Sequence, residues 1–158
     1  ENWCFGRFIA INNFWICLIV IFFKKMITND IIRIASNTSN VGLTNKYTFK
    51  SVKKNSMCGD SIKIELISKN SKINSMKYET ESCIYCEASA SLLSNKIKNL
   101  PIKIVIDELK KLKKISLDNT KLNISRKFTK FRFLINRNNI NRLNCIYLPI
   151  DAVLKALK

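Results

Sequence analysis

Hydrophobic and polar positions change their period along the chain, and each change marks an element. Ile27, Ile31, Ile32 and Ile34 make a helical stripe from Met26 to Ala35, which ends in the Ser/Asn/Thr cluster between Ser36 and Asn40. A loop containing Gly42 follows, and Tyr47 to Val52 carries β-prone residues that predict a first strand. Asn55 to Asp60 is rich in turn formers. Ile62, Ile64 and Leu66 then alternate with Ser61, Lys63 and Glu65, which predicts a strand with one buried face. Lys69 to Lys72 forms a polar hairpin turn. Met76, Tyr78 and Thr80 alternate with Lys77 and Glu79 on the returning strand. The expected product is a small antiparallel meander.

From Cys83 the period lengthens. Ile84, Ala88 and Leu92 recur at helical spacing, and the small residues Ala88 to Ser91 let such a helix approach a sheet closely. Pro101 is suited to the first position of a second helix, whose stripe is Ile102, Val105, Ile106, Leu109 and Leu112. Lys110, Lys111, Lys113 and Lys114 complement its C-terminal end. Between residues 116 and 141, Phe128, Phe131, Phe133, Leu134 and Ile135 predict a further helix among basic neighbours. Pro149 is expected to open a last helix through Ala152, Val153, Leu154, Ala156 and Leu157. Strands come first and helices follow, so the fold class is α+β: a three-stranded antiparallel sheet packed by helices.

Residues 1–25 do not share this patterning. Phe14 to Phe23 is an unbroken apolar run followed by Lys24 and Lys25, too short to span a bilayer as a helix. Extending it back to Trp3 reaches spanning length but takes in Arg7, Asn12 and Asn13. No small-residue cleavage site follows, as a signal peptide requires. A dispensable extension upstream of a start at Met26 is favoured over an anchor, and residues 26–158 make the functional domain. Cys4 and Cys17 receive no role.

The net charge of +17 raises an anionic partner. The basic residues are spread along the chain, however, and Lys, Ile and Asn dominate throughout with no His. A solvated basic surface accounts for them, so no nucleic-acid role is expected. Phe interleaved with Lys and Arg around Phe131 matches a base-stacking platform only superficially; an amphipathic helix with its Phe residues inward is expected instead.

Cysteines stand at positions 4, 17, 58, 83, 86 and 145. The last four lie beside charged, turn-like motifs, which favours metal or sulfur chemistry in a reducing cytoplasm over a disulfide framework. Cys58 falls in a turn between strands, Cys83 at a strand-to-helix junction, and Cys145 just before the last helix. In a two-layer domain such junctions gather at one end, and Asp60 points the same way. Three thiolates and a carboxylate suit tetrahedral Zn²⁺, and thiolates also hold iron–sulfur clusters. A hard carboxylate in place of a fourth thiolate keeps a soft-metal site exchangeable. Cys83 at a helix N-terminus gains thiolate character, and Arg142 could stabilise a persulfide near Cys145. Cys83 and Cys86 form a C-x-x-C that lacks the βαβ context of a redox motif, so Cys86 is read as auxiliary or structural.

These motifs resemble those of the IscU/SufU/NifU-type iron–sulfur scaffold family. Asn55-Ser56-Met57-Cys58-Gly59-Asp60 is similar to N-P-x-C-G-D, with Ser56 in place of Pro. Cys83 to Ser91 is similar to C-x-x-S-x-A-S-A-S, with Cys86 where Ser is common. Arg142 to Pro149 resembles R-x-x-C-x-x-L-P, with Ile150 where Trp often follows. The resemblance implies a metal or cluster at one exposed tip, held by Cys58, Asp60, Cys83 and Cys145. It also implies a cysteine desulfurase as sulfur donor and acceptor apo-proteins or SUF-type assembly proteins downstream. Two departures matter: Asn144 stands where IscU-type members have His, and Asn138 to Arg142 replaces their chaperone-recognition segment, so transfer by that chaperone route is not implied. The long stretch between Cys83 and Cys145, with Arg142 and Asn144, looks more like the SufU-like branch. The expected function is a scaffold that builds a transient [2Fe-2S] cluster from iron and desulfurase sulfur. The alternative is a zinc-dependent sulfurtransferase in which Cys58 or Cys145 accepts persulfide sulfur.

Overall fold

The computed structural model describes residues 29–114 and 124–158. The apolar stretch at 1–25, Cys4, Cys17 and the start inferred at Met26 lie outside the described residues. Strands β1 (Phe49–Lys54), β2 (Ser61–Lys69) and β3 (Lys72–Glu81) form one antiparallel sheet in the order β1-β2-β3, as the alternation predicts. Asn70 and Ser71 join β2 to β3, both at positive φ (52° and 58°). Such a two-residue turn matches the right-handed twist of the strands it joins. The register pairs Ile64 with Tyr78 and Leu66 with Met76, so one face is continuously apolar. Those four side chains and Ile62 are buried.

Glu65 departs from the alternation. It was expected in solvent beside Lys63, yet it is buried. The loop ahead of β1 folds over it, and its carboxylate accepts the backbone N–H of Thr44 at 2.8 Å and of Asn45 at 3.1 Å. A buried carboxylate persists only when hydrogen-bonded in this way.

Helices α1 (Asn29–Ala35), α2 (Ile84–Lys96), α3 (Ile102–Lys113) and α4 (Leu143–Ala156) complete the described fold with two 3₁₀ segments. α2 is the central helix, with Tyr85, Cys86 and Ala88 to Ser94 all buried. Its small residues do what the pattern implied. Ala88 and Ala90 bring neighbouring backbones close, and Ser89 Oγ donates to the Ile146 carbonyl of α4 at 2.6 Å. Ser51 Oγ of β1 donates to the Ala152 carbonyl at 2.6 Å. α4 is therefore fastened to both the sheet and α2.

Two expectations are corrected. Residues 126–142 form 3₁₀ segments, Arg126–Phe133 and Arg137–Arg142, where an α-helix was expected. Phe128, Phe131 and Leu134 recur every three residues, the 3₁₀ period, and all are fully buried. The side-chain amide of Asn136 donates to the carbonyls of Arg132 and Phe133, and that of Asn139 to those of Phe133 and Leu134. These amides take the acceptors that a continuing α-helix needs. The second correction concerns Pro149, which lies inside α4 and does not open it. Proline has no N–H to return to the carbonyl of Cys145. Burial of Cys145, Ile146, Leu148, Ile150 and Val153 nonetheless carries the helix back to Leu143, so Cys145 sits in its first turn. Pro101 likewise caps α3 from the position before its first residue.

Phe131 and Phe133 separate core from surface. Phe131→Ala should lower unfolding free energy by about 3–5 kcal/mol in chemical denaturation. Phe133→Ala, at a position 43 % exposed, should change it by less than about 1 kcal/mol.

Candidate metal centre

The turn from β1 to β2 presents the first candidate ligands. Asn55 organises it: its side-chain oxygen accepts the Met57 N–H at 3.1 Å, and its carbonyl accepts the Gly59 N–H at 2.9 Å. Gly59 takes a left-handed φ of 73°, a conformation that glycine adopts without strain. The chain thereby leaves Cys58 exposed at the tip and turns Asp60 inward, where it is buried. Cys145 arrives from the first turn of α4 and is 3 % exposed.

Cys58, Asp60 and Cys145 each offer a ligand atom within 4.8 Å of the other two. The sulfurs of Cys58 and Cys145 lie 3.4 Å apart, and both thiols are free. Cys83, at the N-cap of α2, stands at the edge of this group. Its backbone N–H donates to Asp60 Oδ1 at 3.2 Å. Its thiol adds to the electrostatics of Asp60 and Cys145 without joining the mutually close trio. The structure thus brings together Cys58, Asp60 and Cys145, with Cys83 adjoining.

Electrostatics assign different states to the ligands. Burial works to raise the pKa of Asp60, but the thiols of Cys145, Cys58 and Cys83 and the Cys83 N–H outweigh it, so the carboxyl is held below its ordinary value. Burial first, then the Asp60 carboxylate and the thiols of Cys58 and Cys83, push Cys145 far above the usual thiol range. An anionic carboxylate beside a protonated thiol is a waiting arrangement: a metal ion exchanges for the thiol proton. Asp60 Oδ2 is buried and has no hydrogen-bond partner. Leaving a buried acceptor unpaired costs about 1–3 kcal/mol, more when charged, and a cation among the sulfurs relieves that cost. With tetrahedral zinc and Zn–S bonds of about 2.3 Å, bound sulfurs stand about 3.8 Å apart, so the observed sulfur spacing needs little adjustment. The donor set fits a thiophilic metal.

The remaining candidates lie off this cluster. Cys86 is fully buried behind it, and burial pushes its thiol up to about 12. Its sulfur lies 3.9 Å from Thr80 Oγ1, and the hydroxyls of Ser82 and Thr80 only partly offset the effect of burial. It is a core cysteine. Arg142 caps α4 at an exposed position, where its charge acts on Tyr85, whose hydroxyl is pushed up chiefly by burial. One contact went unforeseen: the Asn144 side-chain amide donates to the Met57 thioether at 3.5 Å. It ties the Cys58 turn to the start of α4. No sequence signal marks it, since Met57 occupies a variable motif position.

The NifU-like N terminal domain model matches residues 26–126. No curated protein matches the chain by sequence. Among solved structures, the N-terminal part of a nitrogen-fixing NifU-like protein from Brucella abortus superposes with a TM-score of 0.75 at 14 % identity. That match covers 86 % of this chain and 94 % of the other. A second structure, from the thermophile Fervidobacterium islandicum AW-1, is described as a candidate iron–sulfur cluster assembly scaffold protein for the SUF system. It superposes with a TM-score of 0.76 at 18 % identity, covering 85 % of this chain and 98 % of the other. Both likenesses bear out the three-stranded α+β fold.

The geometry predicts how cysteine variants rank. In anaerobic zinc titrations followed by competition with a chromophoric chelator, Cys58→Ser and Cys145→Ser should each weaken affinity at least about tenfold. Cys86→Ser should bind as the parent does.

Proposed function

The chain belongs to the family of NifU-like N-terminal domains, and from that premise we propose that it serves iron–sulfur cluster assembly through a site formed by Cys58, Asp60, Cys83 and Cys145. The observation that carries this reading is the convergence of Cys58, Asp60 and Cys145 within 4.8 Å, with a buried carboxylate oxygen left unpartnered among the sulfurs. Iron and sulfur are cargo here. A cysteine desulfurase supplies persulfide sulfur, a transient [2Fe-2S] cluster forms, and acceptor apo-proteins of the SUF type take it.

Exposure divides the labour. Cys58, at the tip, is accessible to a protein-bound persulfide. Its thiolate attacks the terminal sulfur, the S–S bond breaks, and the desulfurase cysteine leaves as thiolate. Cys145 lies beneath and keeps the delivered sulfur near Asp60. Arg142 supports the anionic persulfide from the rim. Asp60 contributes a hard oxygen donor among soft ones, so the fourth position exchanges readily.

A second reading is open because the short Cys58–Cys145 spacing suits two thiolates on a single tetrahedral ion, zinc as well as one iron of a cluster. In it the site holds Zn²⁺ and the chain acts as a sulfurtransferase, relaying persulfide from the desulfurase. Asn144, where a histidine ligand would otherwise stand, is consistent with this branch. No helix among the described residues is long and apolar enough to cross a membrane. A cytoplasmic location is proposed from the free thiols.

Metal analysis of the isolated protein, followed by anaerobic reconstitution with iron and sulfide, separates the two. Visible charge-transfer bands with sulfide-dependent iron uptake mark the scaffold, and stoichiometric zinc with stimulation of desulfurase turnover marks the relay. A protein that binds neither iron nor zinc overturns both. For the scaffold, Asp60→Ala should release its cluster to an apo-ferredoxin several-fold more slowly, measured by circular dichroism. Faster or unchanged release removes the role given to Asp60.

A further inference from the structure

Cys58 and Cys145 are placed for more than ligation. Their sulfurs are 3.4 Å apart, at van der Waals contact and with no atom between them, although 87 residues separate them in sequence. One is exposed and the other buried, so an incoming protein can reach only the first. The exposed sulfur stands on the turn around Gly59, which the contact of Asn144 with Met57 ties to the start of α4 beside Cys145. A disulfide requires the sulfurs to close to about 2.05 Å, a movement of little more than one ångström.

We propose that, in the metal-free protein, Cys58 and Cys145 act as an acceptor and resolving pair that releases delivered sulfur as sulfide. This deepens the sulfur-acceptance reading and rests on it. Cys58 first holds the sulfur as a persulfide. The Cys145 thiol attacks the carbon-bound sulfur of Cys58, a new Cys58–Cys145 bond forms, and the S–S bond of the persulfide breaks. The terminal sulfur leaves with both hydrogens as hydrogen sulfide. The two electrons that make it sulfide come from the Cys145 thiol, so no external reductant enters this step. Attack at the terminal sulfur merely moves the persulfide to Cys145, from which Cys58 closes the same disulfide. Both routes end alike. A small-molecule or protein dithiol then reduces the disulfide and restores both thiols.

Cys83 and Cys86 are the competing resolvers. Cys86 is fully buried and faces Thr80, and Cys83 lies outside the mutually close trio. Neither has a sulfur contact comparable with that of Cys145.

The test uses the full chain, reduced and freed of metal with a chelator, exposed briefly to a small alkyl persulfide and desalted under anaerobic conditions. Samples quenched by acid and alkylation are read by intact mass and peptide mapping, with sulfide assayed in parallel. A species about 32 Da heavier than the reduced chain should appear and convert to one about 2 Da lighter, with one sulfide released per disulfide. Peptide mapping should join Cys58 to Cys145. Cys145→Ser should keep the heavier species at least about tenfold longer, while Cys86→Ser converts like the parent. A parent chain that holds its added sulfur as long as Cys145→Ser overturns the proposal and leaves sulfur acceptance standing. A crosslink from Cys58 to Cys83 or Cys86 also overturns it, and needs no variant to fold. A parent chain that takes up no sulfur overturns acceptance and resolution together.

Discussion

The tip of this molecule depends on where α4 is seated. Cys145 cannot approach Cys58 through local structure, because the two stand at opposite ends of the domain's sequence. What brings them together is the fit of α4 against α2 and β1, and two short hydrogen bonds mark it. Ser89 Oγ reaches the carbonyl of Ile146, the residue after Cys145, and Ser51 Oγ reaches that of Ala152 two turns on. Each is worth about 1 kcal/mol in net stability. Their larger effect is on register, since a helix slid by one residue would satisfy neither. Ala88 and Ala90 permit the close approach that these hydroxyls need. The small-residue run of α2 is therefore part of the site although none of it touches a sulfur.

A second constraint sets the chemistry. Asp60 stands just before β2 at the end of the turn, buried and with its carboxyl held below its ordinary value, and its firm partner is the backbone N–H of Cys83. That N–H is among the unpaired donors at the start of α2, so the helix end helps hold the carboxylate ionised. In a structural role both carboxylate oxygens would be satisfied, as they are in Glu65, whose two oxygens take the Thr44 and Asn45 amides. The two buried acids, one just before β2 and one within it, differ in this: Glu65 has both carboxylate oxygens hydrogen-bonded, while Asp60 has one oxygen without a partner.

Much of this was readable from residue pattern, for physical reasons that differ by element. The meander followed from strict alternation, and the Asn55 to Asp60 turn from local side-chain chemistry, so both are present with small boundary shifts. The candidate ligands Cys58 and Asp60 came with that turn. Other features needed the tertiary context. Pro149 is a strong local signal for a helix start, but burial of the preceding apolar face outweighs it and carries α4 back past Cys145. The Asn136 and Asn139 amides bond carbonyls three to six residues back in a helix that breaks into 3₁₀ segments, a local competition that the apolar spacing does not reveal. Glu65 read as a solvent residue because alternation cannot foresee a loop folding over a strand. Cys83 reads as a ligand and Cys86 as auxiliary or structural, and the full burial of Cys86 agrees with the latter.

The family match ends at residue 126, before the residue that completes the trio. Cys145 is drawn in by geometry instead, and it brings Asn144 with it. At that position an imidazole would offer a nitrogen donor of the kind metals favour. An amide adds none, and here it turns to the Met57 thioether, bracing the exposed Cys58 turn against α4. The consequence is a site poorer in ligands but more closed between its two halves. A ligand-poor site holds metal loosely, and a braced turn keeps its two sulfurs in contact when metal leaves. On the second reading proposed above, both properties suit a sulfur relay. The substitution at Asn144 thus alters the site twice, by the donor it removes and by the contact it makes.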